Sequence, residues 1–188
     1  MQRPEFFVFF GLIATGKSTV AQAWADQRGL TYYNSDVVRK ELAGLAPSAS
    51  RQEAVGQGIY SSDFSRKTYT ALLERAESDL TAGRGVVLDA SYQGKEERQR
   101  VRDLAARLGV NLCFVLCSCP ELEMKRRMEQ RALDPNAVSD GRWEIYLKQK
   151  ERFEVPDELS GAEFIELSTD LPVNDLLHNL LSMVEEKL

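Results

Sequence analysis

The sequence predicts a three-layer α/β/α domain built on a parallel sheet, and three observations carry that expectation. Short apolar runs alternate with segments of helical periodicity along all 188 residues. Strands separated by helices need crossover connections, hence parallel neighbours with helices on both sheet faces. Finally, Gly11-Leu12-Ile13-Ala14-Thr15-Gly16-Lys17-Ser18 joins the first strand to the first helix with the spacing G-x-x-x-x-G-K-[ST], the phosphate-binding P-loop.

Each element has a local reason. Phe6 to Phe10 is an apolar run entering the loop, and Lys17 to Arg28 leaves it as a helix that Gly29 stops. Thr31 to Asn34 reads as a short strand, and Asp36 to Ala43 as a short helix ended by Gly44. Leu45 to Tyr60, with Pro47, Gly56 and Gly58, is irregular. Tyr60, Phe64, Leu72, Ala76 and Leu80 fall near helical spacing before Gly83-Arg84-Gly85 breaks the pattern. Val86 to Asp89 is a strand that stays apolar until its last residue. Val101, Leu104, Ala105 and Leu108 stand at i, i+3, i+4 and i+7 of the next helix, which Gly109 stops. Val110 to Cys117 is a further strand. Pro120 to Ala132 and Asp140 to Phe153 read as helices around the turn Asp134-Pro135-Asn136, the pattern of a lid over about 120–150. Phe164 to Leu167 is the last strand, and Val173, Leu176, Leu177, Leu180, Leu181 and Val184 form the apolar stripe of the last helix.

Composition narrows the function classes. A length of 188 residues makes 1–188 one domain with room for a full core. No apolar run approaches the ~20 residues a membrane span needs, and no basic stretch precedes a signal-peptide core. No membrane partner is expected, and the expected location is cytoplasmic. The net charge of −5 disfavours a constitutive nucleic-acid binder, while leaving room for a basic cleft at the phosphate site. Cys113, Cys117 and Cys119 sit in an apolar segment and read as buried thiols in a reducing compartment. The single histidine, His178, is too distant in sequence to complete a zinc site with them. No Ser/His/Asp or Cys/His constellation can be assembled.

The chemistry concentrates at strand ends, where an open α/β sheet holds its ligands. In the loop, glycines let successive N–H groups point at one anion, and the helix N-terminus favours negative charge. Gly11, Ala14, Thr15, Gly16, Lys17, Ser18 and Thr19 form the expected nucleotide-binding set, with Lys17 on the β- and γ-phosphates and Ser18 on Mg²⁺. The absence of an N-K-x-D base-reading motif favours ATP over GTP. Asp89 is followed by Ala90; with no glutamate there to polarise water, hydrolysis is disfavoured. Asp89 is a candidate for the Mg²⁺ shell beside Ser18, directly or through water, or for holding the acceptor; a solvated strand-end carboxylate is the alternative. Asp36 directly follows the second strand, so its carboxylate is placed to orient an acceptor hydroxyl and take its proton; its competing reading is an N-cap. Arg39, one turn later, is placed to hold the transferring phosphoryl or a substrate anion. Arg127 and Arg131 share a face of the lid helix and are candidates to close over the phosphates; a solvated basic face is the alternative.

Gly11 to Thr19, Asn34 to Lys40, Gly58 to Ser61, Val86 to Ser91 and Ser139 to Phe153 together resemble the P-loop kinases of the AAA_33 type. These are similar to polynucleotide 5′-hydroxyl kinases, zeta toxins, and gluconate- and adenylate-type kinases. The resemblance implies a five-stranded sheet in the order 2-3-1-4-5. It implies Lys17 and Ser18 as the P-loop lysine and Mg²⁺ ligand, Asp36 as base, Arg39 on the scissile phosphate, and Arg127 and Arg131 as lid arginines. It also implies that Ser168-Thr169-Asp170 lies near the nucleotide base. The expected activity is ATP- and Mg²⁺-dependent transfer of a phosphoryl group to a hydroxyl of a small molecule. The alternatives are a polynucleotide 5′-hydroxyl kinase and a nucleotide-binding regulatory ATPase.

Overall fold

Strand β1 (Glu5–Phe10) occupies the middle of the sheet, and its sequence says why: Phe6 to Phe10 are all buried, as only a strand covered on both faces can be. The computed structural model describes residues 3–46, 58–132 and 143–187. Around β1 stand β2 (Thr31–Asn34), β3 (Val86–Asp89), β4 (Asn111–Ser118) and β5 (Phe164–Ser168). The order is β2-β3-β1-β4-β5, and every pairing is parallel, as expected.

Seven α-helices complete the layers among the described residues: α1 (Lys17–Arg28), α2 (Ser35–Leu42), α3 (Ser62–Thr81), α4 (Lys95–Leu108), α5 (Glu121–Ala132), α6 (Trp143–Arg152) and α7 (Val173–Glu185). Alternation along β1 divides the core. Phe6, Val8 and Phe10 pack with Leu72 and Ala76 of α3 and Val101 and Leu104 of α4. Phe7 and Phe9 pack with Val20 and Trp24 of α1 and Leu176, Leu180 and Val184 of α7. Trp24 is fully buried and meets the Phe7 ring edge-on at 5.3 Å. A third cluster lies over the phosphate loop, where Ile13 and Ala14 pack with Met124, Met128 and Tyr146.

Two boundaries that bear on the site differ from the sequence reading. Helix α2 starts at Ser35, because the Asn34 side chain accepts hydrogen bonds from the backbone N–H groups of Asp36 (2.9 Å) and Val37 (3.1 Å). The cap is therefore Asn34, and Asp36 is released from that role. Tyr60 closes a 3-10 turn, Gly58–Tyr60, ahead of α3, because Ser61 caps that helix through Phe64 N–H at 3.3 Å. The expectations at Pro47, Gly56, Asp134-Pro135-Asn136, Ser139 and Asp140 lie outside the described residues. None of the helices is long and apolar enough to cross a membrane, among the described residues.

Candidate nucleotide and phosphoryl-transfer site

The loop between β1 and α1 takes a conformation that three residues make possible. Gly11 has φ 134° and Gly16 φ 84°. A Cβ on Gly11 would run into the carbonyl oxygen of Cys117 in the neighbouring strand, so only glycine fits there. Ala14 holds φ 62°, a left-handed conformation that costs an L-residue about 1–2 kcal/mol. Its side chain is buried against the lid cluster. The Leu12 carbonyl accepts from Thr15 Oγ1 at 2.8 Å and from Lys17 Nζ at 3.3 Å. Gly16 opens α1 without any side-chain cap. The first amides of this helix are thus left to an anion that the helix dipole also favours.

Beside the loop, the ends of β2 and β3 bring Asn34 and Asp89 into register. Asp89 is fully buried; its Oδ2 accepts from Asn34 Nδ2 at 2.6 Å and from the Tyr32 hydroxyl at 2.7 Å. Its Oδ1 is buried with no hydrogen-bond partner. An anionic oxygen in that state calls for a cation or a donor. Burial first, then the Asp89 charge, pushes the Tyr32 phenol far above its ordinary value, while the neighbouring Ser18 hydroxyl works the other way. Ser18 and Asp89 therefore share one locality through Tyr32. One carboxylate oxygen, one hydroxyl and nucleotide phosphates are the donor set Mg²⁺ takes, so the residues fit that ion.

Asp36 lies partly exposed at the start of α2. Removal of water from around it raises its pKa above the ordinary aspartate value, and Asp89 adds to that rise. Arg39 and Lys17 act in the opposite sense, so all four charges lie within reach of one cleft. Arg39 itself is 7% exposed. Its Nη1 donates to the Ile59 carbonyl at 2.7 Å and to Ser65 Oγ at 3.1 Å, and its guanidinium stands over the Tyr60 ring at 5.3 Å. Arg39 thereby ties α2 to the 3-10 turn and α3, and its Nε is buried without a partner.

On the other flank, Arg127 reaches the loop. Its Nη2 donates to the Thr169 carbonyl at 2.6 Å, its Nη1 to Thr169 Oγ1 at 3.3 Å, and its Nε to Glu123 at 2.8 Å. A Cβ on Gly16 would come within 2.8 Å of Arg127 Nη1, so the guanidinium lies against the phosphate loop. The hydrogen bonds of Arg126 and Arg127 hold the Glu123 carboxyl down at about 2. Thr169 is 2% exposed; its hydroxyl donates to the Thr15 carbonyl, which joins the end of β5 to the loop. The Arg131 side chain lies outside the described residues. Lys17, Ser18, Asp36, Arg39, Asp89 and Arg127 thus converge on the C-terminal edge of the sheet. The thiols stand apart from this chemistry: burial pushes Cys113 up to about 12 and Cys117 higher still, which keeps both protonated.

Sequence reasoning missed several partners. Asn34 just before Ser35-Asp36 carried a readable cap signal. Tyr32 carried none, since its role comes from a contact between distant segments.

A phosphate loop after the central strand of a β2-β3-β1-β4-β5 parallel sheet, with helices packed on both faces, defines a P-loop domain of kinase topology. The chain belongs to the AAA_33 family (AAA domain), whose model matches residues 6–156. The uncharacterized protein Rv2004c of Mycobacterium tuberculosis H37Rv is 29% identical over 118 residues, covering 63% of this chain and 24% of that protein. The chain therefore spans about a quarter of the length of the curated relatives it matches. Among solved structures, a gluconokinase from Sinorhizobium meliloti 1021 is 20% identical with a TM-score of 0.67, over 99% of this chain and 94% of that one. The Mycobacterium tuberculosis APS kinase CysC, in complex with AMPPNP and APS, is 19% identical with a TM-score of 0.68, over 98% and 99%. At these identities the likeness is one of fold.

Proposed function

We propose that this chain is an ATP- and Mg²⁺-dependent phosphotransferase that moves the γ-phosphoryl group to a hydroxyl of a small molecule, with Asp36 as base. One observation carries the reading. Asp36 sits beyond the end of β2 with a raised proton affinity, in the same cleft as Lys17 and Asp89. A carboxylate there is suited to accept the proton of a hydroxyl as it attacks phosphorus. A hydrolase would instead need a group that polarises water next to Asp89, where Ala90 stands. The names of two fold neighbours, gluconokinase and APS kinase, support a small acceptor over a polymer.

In this reading, amides of the Gly11–Ser18 loop and Lys17 hold the β- and γ-phosphates, and Thr19 lies at the start of the same helix. Ser18 and Asp89 Oδ1 would hold Mg²⁺, which when bound neutralises phosphate oxygens. Asp36 orients the acceptor hydroxyl and takes its proton. Arg39 Nε and Arg127 supply positive charge on opposite flanks, with Arg131 as a second lid arginine. The test is a panel of sugars, sugar acids, nucleosides, antibiotics and 5′-hydroxyl oligonucleotides assayed with labelled ATP. Asp36→Asn lowers turnover by about 10²–10⁴-fold, the range for a lost general base, with ATP affinity nearly intact. Full activity in that variant refutes the base. Labelling of oligonucleotides alone moves the acceptor to a nucleic-acid end.

A further inference from the structure

The peptide unit between Leu12 and Ile13 is held at both of its polar ends. Its carbonyl accepts from Thr15 Oγ1 and Lys17 Nζ, both inside the loop. Its N–H donates to Oε1 of Gln149 at 2.8 Å, a side chain of α6 that lies 136 residues further along the chain. A peptide is planar, so fixing C=O and N–H together fixes the orientation of the whole unit. The next residue but one is Ala14, whose left-handed backbone is strained and persists only because its surroundings impose it.

The surroundings come from the lid. Ile13 and Ala14 are buried against Met124 and Met128 of α5 and Tyr146 of α6. The Tyr146 hydroxyl and Lys150 Nζ both donate to Glu121, which ties α6 to α5. Within this contact the Gln149 amide is the lid group with a hydrogen bond to the loop backbone from α6. The Lys17 ammonium has three N–H donors, so it can meet phosphate oxygens while it bonds the Leu12 carbonyl. Thr15 and Lys17 on the carbonyl and Gln149 on the N–H are the groups that hold the plane.

We propose that Gln149 is a positioning residue for the phosphate loop: its amide presets the Leu12–Ile13 peptide so that the following amides meet the nucleotide phosphates without rearrangement. This rests on the nucleotide-binding part of the function proposed above and needs no knowledge of the acceptor. Pre-organisation raises affinity by removing an ordering cost. The gain must therefore appear with any ligand that fills the phosphate loop, and must not depend on the adenosine.

The experiment measures dissociation constants by calorimetry for the magnesium complexes of AMP-PNP and of inorganic tripolyphosphate. The proteins are the wild-type chain, Gln149→Leu and Gln149→Ala. Both substitutions are expected to weaken both ligands by the same factor, roughly tenfold, the scale of one lost hydrogen bond. Amide exchange at Ile13 quickens in both variants, while the melting temperature of the protein changes little, because Gln149 is half-exposed. Unchanged affinities overturn the proposal, and so does weaker AMP-PNP binding with tripolyphosphate unaffected, which places the role of Gln149 at the base. If wild-type protein binds neither probe, the nucleotide-binding reading itself falls and the inference falls with it.

Discussion

Two two-pronged arginine–glutamate ion pairs should respond very differently to the same substitution. Arg98 Nε donates to Glu158 Oε1 at 2.6 Å and Nη2 to Oε2 at 3.3 Å; Arg107 Nη1 and Nη2 meet Glu77 at 2.6 and 2.9 Å. The side chains of the first pair are 0% and 7% exposed, those of the second 57% and 42%. Arg98 also donates to the carbonyls of Tyr92 (2.9 Å) and Gln93 (3.1 Å). Arg98→Met leaves the Glu158 carboxylate and two carbonyls buried without those donors. Breaking a buried pair from one side costs about 3–5 kcal/mol. At roughly 2–4 °C per kcal/mol for a domain of this size, the melting temperature falls by about 6–20 °C. Arg107→Met leaves groups that water can solvate, and the midpoint stays close to that of the parent. The double variant Arg98→Met/Glu158→Met should recover part of the loss, because it removes the unpaired carboxylate while the Tyr92 and Gln93 carbonyls still lack their donor.

The pH dependence gives a second reading of the same substitution. In the parent, burial works to raise the Glu158 pKa, and the Arg98 hydrogen bonds and charge outweigh it, so the net shift is downward from 4.5. A lowered folded value contributes stability above the unfolded pKa, and this is lost as pH falls through the folded one. Without Arg98, burial is opposed only by the backbone hydrogen bond of Glu158 and the Lys95 charge, so the folded value moves up from that of the parent and the stability drawn from ionised Glu158 falls. The Arg98→Met penalty is therefore largest at neutral pH and shrinks toward pH 4.5 and below. Equal melting shifts for Arg98→Met and Arg107→Met at neutral pH would refute the argument.

Two further outcomes concern the site. Gly11→Ala places a methyl group against the Cys117 carbonyl at a φ of 134°, so strand β1 must shift from β4. Both the melting temperature and MgAMP-PNP affinity should fall, by at least about 2 kcal/mol of stability; a parent-like melt argues against the close approach. For acceptor turnover, kcat/KM should rise with pH through an acid limb above the ordinary aspartate value of 3.8, because the Asp36 carboxylate must be free to take a proton. Arg39→Met should move that limb further up, since the Arg39 charge works to lower the Asp36 pKa; movement downward contradicts the assignment.

The boundary between what the sequence disclosed and what it hid is a physical one. Periodicity and glycines are local signals, and they located the strands, the loop and the helix ends within about two residues, the usual scatter of such boundaries. Asp36 and Asp89 were legible because each directly ends a strand or follows one, and strand ends in a parallel sheet face the ligand. The finer division of labour was not legible. Asn34 follows Tyr32 by two, yet only parallel pairing of β2 with β3 brings both onto one oxygen of Asp89. The sequence places Asp89 at a strand end without telling its two oxygens apart; the fold engages Oδ2 in hydrogen bonds and leaves Oδ1 without one. Asp89 Oδ2 accepts from the Asn34 amide whose oxygen caps α2, so Asp89 and the helix start that carries Asp36 are joined by one side chain. Arg98 carries no signal in its own segment, because a buried cation is invisible until its partner, 60 residues away, folds over it. In each case the missing information is a long-range contact, and no local pattern of residues encodes which distant group will fill it.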